Sequence, residues 1–221
     1  MFKKKELLKL SNDLWNKSRD EYLQIYSDED VYKDIMDYRQ YHCKIVADLA
    51  IEMFDEFYSQ LFADSDTDDT RKNSLYFACL VHDIKKINPK HSKAGAKFIK
   101  DADEIREITY INKSIVRKII KYHKSKKNKK DSDYLKKISN MDNELKFLIV
   151  LIRISDKLSK LIFKSEYMNI DEGMINIVMD KVINNSNEFI YNDNLRAVRK
   201  IVCLFRSDNF AGHCTGSCCS W

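Results

Sequence analysis

Leu75–His91, LYFACLVHDIKKINPKH, is the stretch whose reading decides the fold. Its first seven residues, LYFACLV (75–81), are apolar on every side and so belong in a core. Periodicity alone allows a buried strand or a buried helix. We read a helix, because nearby segments carry helical spacing and no strand partner is in view. The run leads straight into His82-Asp83; Pro89 stops the helix, and the loop that follows carries His91.

Residues 1–62 read as helical. From His42 onward, Val46, Leu49, Ala50, Met53, Phe54, Phe57 and Leu61 recur at three- and four-residue steps, one face of a helix, with His42 on or beside it. Residues 63–72 (ADSDTDDTRK) read as an acidic loop. Helices are expected over 92–101, over 113–123 and, around the apolar block FLIVLI (147–152), over 143–163, with Asp156 one turn beyond the block. After residue 165 the texture changes. EYMNI, DEG and MINIVMD suggest strand, turn and strand, and residues 193–206 a closing amphipathic helix. The expected organisation is a helical domain over 1–164, a small α+β appendage over 165–206 and a flexible Cys-rich tail over 207–221.

Composition agrees with an all-α class. The chain has 221 residues, 44% of them hydrophobic, so it can bury a core. Four glycines and one proline are too few turn residues for a sheet-rich fold. A net charge of +5 suits an anionic substrate but is weak for a nucleic-acid binder. No stretch of about 18 uncharged apolar residues is present, so no membrane span is expected. MFKKKELLKL lacks the apolar core of a secretory signal, and a cytoplasmic location is expected. Cys43, Cys79 and Cys203 read as core residues. Cys214, Cys218 and Cys219 beside His213 fit no zinc-ribbon spacing and read as a loose tail, though HCTGSCC could bind a metal.

Four of the five histidines then fall in one order: His42, His82-Asp83, His91 and His123, closed by Asp156. Neutral imidazoles and carboxylates are ligands of divalent transition metals. A carboxylate can bridge two cations whereas an imidazole binds one, which makes Asp83 the natural bridge. His42, His82, Asp83 and Asp156 would hold one ion, and Asp83, His91 and His123 a second, at the separation of about 3.5–4 Å that suits attack on phosphorus. A carboxylate buried beyond FLIVLI needs a partner, which a metal ion or a neighbour such as Arg153 would supply. Such His-rich ligation favours Mn, Fe, Ni, Co or Zn over Mg, as one or two ions.

The run VHDIKKINPKHSKAGA, with the His-bearing helix before it and KYH and IRISDKL after it, resembles the HD-domain superfamily of metal-dependent phosphohydrolases over about residues 38–165. The resemblance implies an all-helical bundle with a metal site between helices. It implies His42, His82, Asp83, His91, His123 and Asp156 as ligands, and hydrolysis of nucleotide phosphoesters. KHS, KYHKSKK and LIRISDKLSK are closest in texture to the C-terminal HD region of the exopolyphosphatase and guanosine pentaphosphate phosphatase family. The upstream actin-like domains that hold that family's catalytic centre are not in this chain. The ligand set is also similar to that of small stand-alone HD hydrolases of dinucleoside polyphosphates.

Lys86 occupies the place of a lysine that holds substrate phosphate in the superfamily. Lys85 replaces a common glycine, and a single histidine at 123 leaves the second metal position weaker or absent. No GYP-type motif follows His123, which sets the chain apart from the cyclic-di-GMP class.

The reading is a phosphohydrolase acting on a nucleotide or polyphosphate through a metal-activated water. Asp83 and Lys86 would be the catalytic residues. Lys86, Lys90, Lys93 and Lys124 would hold substrate phosphate, and Lys85 would join them at the mouth of the site. The alternative is a catalytically weak HD fold that senses nucleotide or phosphate. RNA binding through KSKKNKK (124–130) has only Tyr122 and Tyr134 to stack bases, so no nucleic-acid partner is expected. Self-association is left open.

Overall fold

The computed structural model describes residues 1–25, 29–62, 69–124 and 132–165, with a few positions between 173 and 181. Eight α-helices run through them: α1 (Lys4–Lys17), α2 (Arg19–Leu23), α3 (Glu29–Leu61), α4 (Asp69–Val81), α5 (His91–Asp101), α6 (Lys113–Tyr122), α7 (Ser132–Ser139) and α8 (Asn143–Ser165). A single 3-10 turn, Asp103–Ile105, follows α5. The described residues contain no strand, as an all-α class requires. The expected appendage over 165–206 and tail over 207–221 fall almost wholly outside them. The described positions there, Gly173, Met174, Ile177, Asp180 and Lys181, are helical.

LYFACLV forms the end of α4, and every one of its residues is buried. It is apolar all round because it is enclosed all round: α4 packs against α1, α3, α6 and α8. FLIVLI plays the same part in α8, which lies on α3 and α6, and all six of its residues are fully buried. Each such large side chain contributes about 1.5–3 kcal/mol. These two helices are the core on which the histidine-bearing segments rest.

The end of α4 differs from the expectation that only Pro89 would stop it. The helix stops at Val81, and the chain continues in three-residue turns: Ile84 N donates to Val81 O at 3.1 Å, Lys86 N to Asp83 O at 2.8 Å and Asn88 N to Lys85 O at 2.9 Å. The physical reason is that the last carbonyls of α4 find partners outside the helix. The Trp15 indole donates to Leu80 O at 3.1 Å, and the His82 ring Nδ1 meets Cys79 O at 2.7 Å. The Tyr22 hydroxyl meets the Asp83 and Ile84 carbonyls at 3.4 and 3.2 Å, and accepts from Lys86 N at 3.2 Å. So α1 and α2 hold the His82-Asp83 turn from behind. α4 also begins at Asp69, so 69–72 are helical rather than loop. The acidic loop expected over 63–68 lies outside the described residues.

Gly95 brings α5 in close. A Cβ there would stand 3.2 Å from Ile120 of α6 and 3.8 Å from the His82 carbonyl. One turn upstream, on the same face, is His91, which is the first residue of α5 rather than part of a loop. At the start of α6 the Asn112 side chain caps the Ser114 and Ile115 amides at 3.0 and 3.1 Å. α6 then delivers His123 at its far end.

Trp15→Phe removes the donor to Leu80 O and leaves a buried carbonyl unpaired. The expected loss is about 1–3 kcal/mol of unfolding free energy. Urea denaturation measures it, and unchanged stability would show that the indole does not hold the end of α4.

Candidate metal centre

Five helices or their ends converge on one buried cluster. α3 brings His42, the turn after α4 brings His82 and Asp83, α5 brings His91, the end of α6 brings His123, and α8 brings Asp156. The four imidazoles and Asp83 are all buried. The Asp156 side chain is 13% exposed, so one side of the cluster opens to solvent.

The outer ring nitrogens are occupied. His82 Nδ1 lies 2.7 Å from Cys79 O, and His123 Nδ1 lies 2.6 Å from Ile120 O. A carbonyl only accepts, so each Nδ1 carries a proton and Nε2 faces the cluster. His42 follows suit. Ser159 donates its hydroxyl proton to Asp156 O at 3.1 Å, so its oxygen accepts from His42 Nδ1 at 3.3 Å. Orienting partners of this kind fix the tautomer of metal-binding histidines.

The inner atoms face one another across gaps too long for hydrogen bonds. Asp83 Oδ1 lies 3.6 Å from His91 Nε2 and 3.8 Å from His123 Nε2. Asp83 Oδ2 lies 3.8 Å from His82 Nε2, which is also 3.8 Å from Asp156 Oδ1. His42 Nε2 is nearer to Asp156 Oδ1, at 3.2 Å. His82 Nε2, Asp83 Oδ1 and His91 Nε2 are buried with no hydrogen-bond partner. Buried polar atoms are ordinarily paired. Ligand atoms about 2.0–2.2 Å from a common ion stand roughly 3–3.5 Å apart, so a modest contraction would let these atoms share one. The residues present therefore fit a divalent metal.

Two triads have ligand atoms mutually within 4.8 Å: His42, His82 and Asp156, and His82, Asp83 and His123. Expectation put Asp83 in both groups; His82 is the member common to these two triads. Asp83 still presents its two oxygens to different neighbours, Oδ1 to His91 and His123, and Oδ2 to His82 and Lys86.

Electrostatics asks for a cation here. Burial works against the ionised form of both carboxylates, yet neighbours overcome it. His82, His123 and Lys86 hold Asp83 well below the usual carboxylate range. The His42 and His82 rings and the Lys160 ammonium do the same for Asp156. Cys43, Asp83 and Asp156 push His82 up despite its burial. Burial pushes His91 down to about 4 and His123 to about 3.

Positive side chains rim the site. Lys86 Nζ lies 2.6 Å from Asp83 Oδ2, and Lys160 Nζ lies 2.8 Å from Asp156 Oδ2. Arg39, one turn before His42 on α3, places Nη1 3.9 Å from Asp83 Oδ2. Sequence reasoning missed Arg39 and Lys160; their three- and four-residue offsets from His42 and Asp156 were the available signal. Lys124 is near enough to His91 to disfavour its protonation. Lys90 and Lys93 are exposed. Lys85 departs from the expected place at the mouth of the site. It is buried, pairs with Glu21 at 2.5 Å and lies 4.1 Å from the Phe98 ring centroid. Arg153, the alternative partner for Asp156, instead donates to Tyr122 O at 2.9 Å and anchors the end of α6.

The HD domain family matches residues 39–161, more than half of the chain. This protein belongs to the HD domain family, whose members bind divalent metals and are generally metal-dependent hydrolases. No curated protein and no solved structure matches the chain. Among the described residues no helix is long and apolar enough to cross a membrane.

Folded His91 and His123 take up protons less readily than in the unfolded chain. Between about pH 6.5 and 4 unfolding therefore binds protons, and the two rings' contribution to stability falls as pH drops. In metal-free protein, NMR of the ring nitrogens should show midpoints near 4 for His91 and 3 for His123. Midpoints near the ordinary 6.5 would contradict the buried cluster.

Proposed function

We propose that this protein is a metal-dependent phosphohydrolase acting on a nucleotide or related phosphate ester. The observation that carries the reading is the set of buried, unpaired inner atoms on His82, Asp83 and His91, ringed by ammonium and guanidinium groups. His42, His82, Asp83, His91, His123 and Asp156 would hold the metal, with Asp83 spanning two positions if two ions bind. A bound Mn, Fe, Ni, Co or Zn ion would supply a water deprotonated at neutral pH and a Lewis acid for the phosphoryl oxygen.

This chain's own residues do the rest. Asp83 and the three Nδ1-anchored rings orient the site, and their partners Cys79 O, Ile120 O and Ser159 keep the rings from turning. Lys86, Arg39, Lys124 and Lys160 draw an anion to the open side and neutralise its charge. Lys90 and Lys93, being exposed, would serve steering at longer range. KHS, KYHKSKK and LIRISDKLSK support a likeness to the C-terminal HD region of the exopolyphosphatase and guanosine pentaphosphate phosphatase family, and so a nucleotide or polyphosphate substrate. Because Lys85 points away to Glu21 and leaves the cluster clear, the catalytic reading is favoured over a purely sensing one.

The test is phosphate release across a panel of nucleotides and phosphate esters, by wild type and Asp83→Asn, each loaded with Mn or Fe. Wild type should turn over at least one compound, and Asp83→Asn should lose about 10³-fold or more in kcat while keeping its melting behaviour. Turnover retained in Asp83→Asn would overturn the mechanism. Lys86→Gln should mainly raise KM for the same compound and flatten its salt dependence.

A further inference from the structure

The two carboxylates of the cluster are not equally open to an ion. Lys86 holds Asp83 through Oδ2, at 2.6 Å, and leaves Oδ1 without a hydrogen-bond partner. Asp156 has no such spare oxygen. Lys160 donates to its Oδ1 at 2.9 Å and to its Oδ2 at 2.8 Å, so one ammonium grips both. Oδ1 also lies 3.2 Å from His42 Nε2.

By spacing, Asp156 and Lys160 are an ordinary four-residue helix pair. Such pairs usually lie on a solvated face and contribute little. This one has its carboxylate in the triad of His42, His82 and Asp156, where it is needed as a ligand. An ion on either oxygen stands about 2.0–2.2 Å from it. Its distance from Lys160 Nζ is then at most about 5 Å, the two contacts laid end to end. Like charges that close, beside a largely buried carboxylate, are poorly screened by salt. Lys160 has somewhere else to go. Its side chain is 45% exposed, on a flexible four-carbon stem, at the side of the cluster that opens to solvent.

We propose that Lys160 exchanges partners. In the metal-free chain it holds both oxygens of Asp156; in the loaded chain it holds a phosphoryl oxygen of the substrate, and so couples metal binding to phosphate binding. The inference deepens the proposed hydrolysis at the same site and rests on its metal ligands, not on turnover. Metal and phosphate each favour the released Lys160, so each tightens the other by the same factor.

Manganese titration of the full chain, stripped of metal and held at neutral pH and low ionic strength, tests this. Free Mn is read by electron paramagnetic resonance. The second probe is methylphosphonate, a phosphate mimic whose P–C bond resists hydrolysis. In wild type, saturating methylphosphonate should tighten Mn binding about tenfold. Lys160→Met keeps the stem and loses the charge. It should bind Mn about tenfold tighter than wild type without methylphosphonate, and gain no more than about threefold from it. Lys160→Arg keeps the charge and should stay within about threefold of wild type. Lys9→Met, exposed on α1, removes the same net charge and should change Mn affinity less than about twofold. A merely structural role has the opposite sign, because a disturbed site binds Mn more weakly. Mn binding by Lys160→Met no tighter than wild type, or a methylphosphonate effect as large as in wild type, would overturn the proposal and leave the metal site standing. No Mn binding by any of the four chains would overturn the metal site and the proposal with it.

Discussion

Asp83 sits 1% exposed at the centre of His82, His91 and His123, with one carboxylate oxygen paired to Lys86 and the other without a hydrogen-bond partner. A buried, ionised carboxylate is tolerated only where positive charge compensates it. Lys86 and Arg39 supply part of that charge, and protons or a metal ion among the inner nitrogens would add to it. The surrounding architecture follows from this demand. The His42, His82 and His123 rings are anchored on their outer nitrogens, so their inner atoms cannot turn away to find other partners.

Holding such a cluster requires rigid supports that meet from several directions. α4 and α8 provide them because their apolar runs are enclosed on every side. The turn that presents His82 and Asp83 is fastened by Trp15 and Tyr22, residues far away in sequence. Arg153 fastens the end of α6, and Gly95 lets α5 approach closely enough for His91 to face Asp83. A core residue and a site residue are therefore often neighbours in the chain: Val81 closes the apolar run and His82 opens the cluster.

Much of this was legible in the sequence. LYFACLV and FLIVLI announce buried helices through the absence of a polar face, and the order of His42, His82-Asp83, His91, His123 and Asp156 announces one site. What was not legible depends on tertiary contacts. The exit from α4 at Val81 comes from partners on α1 and α2, which no local signal reveals. The burial of Lys85 against Glu21 and Phe98 is equally non-local, and it moved that lysine away from a site to which sequence proximity had assigned it. Arg39 was overlooked because it reaches Asp83 from another helix, one turn before His42, and not from a neighbouring position in the chain.

The central claim is that the buried cluster holds a metal. Element-resolved plasma mass spectrometry of protein purified without added metal or chelator measures this directly. The account requires about one or two transition-metal ions per chain, lost from a His82→Ala/Asp83→Ala variant. A chain that carries none, and takes up none on reconstitution with Mn or Fe, would contradict it.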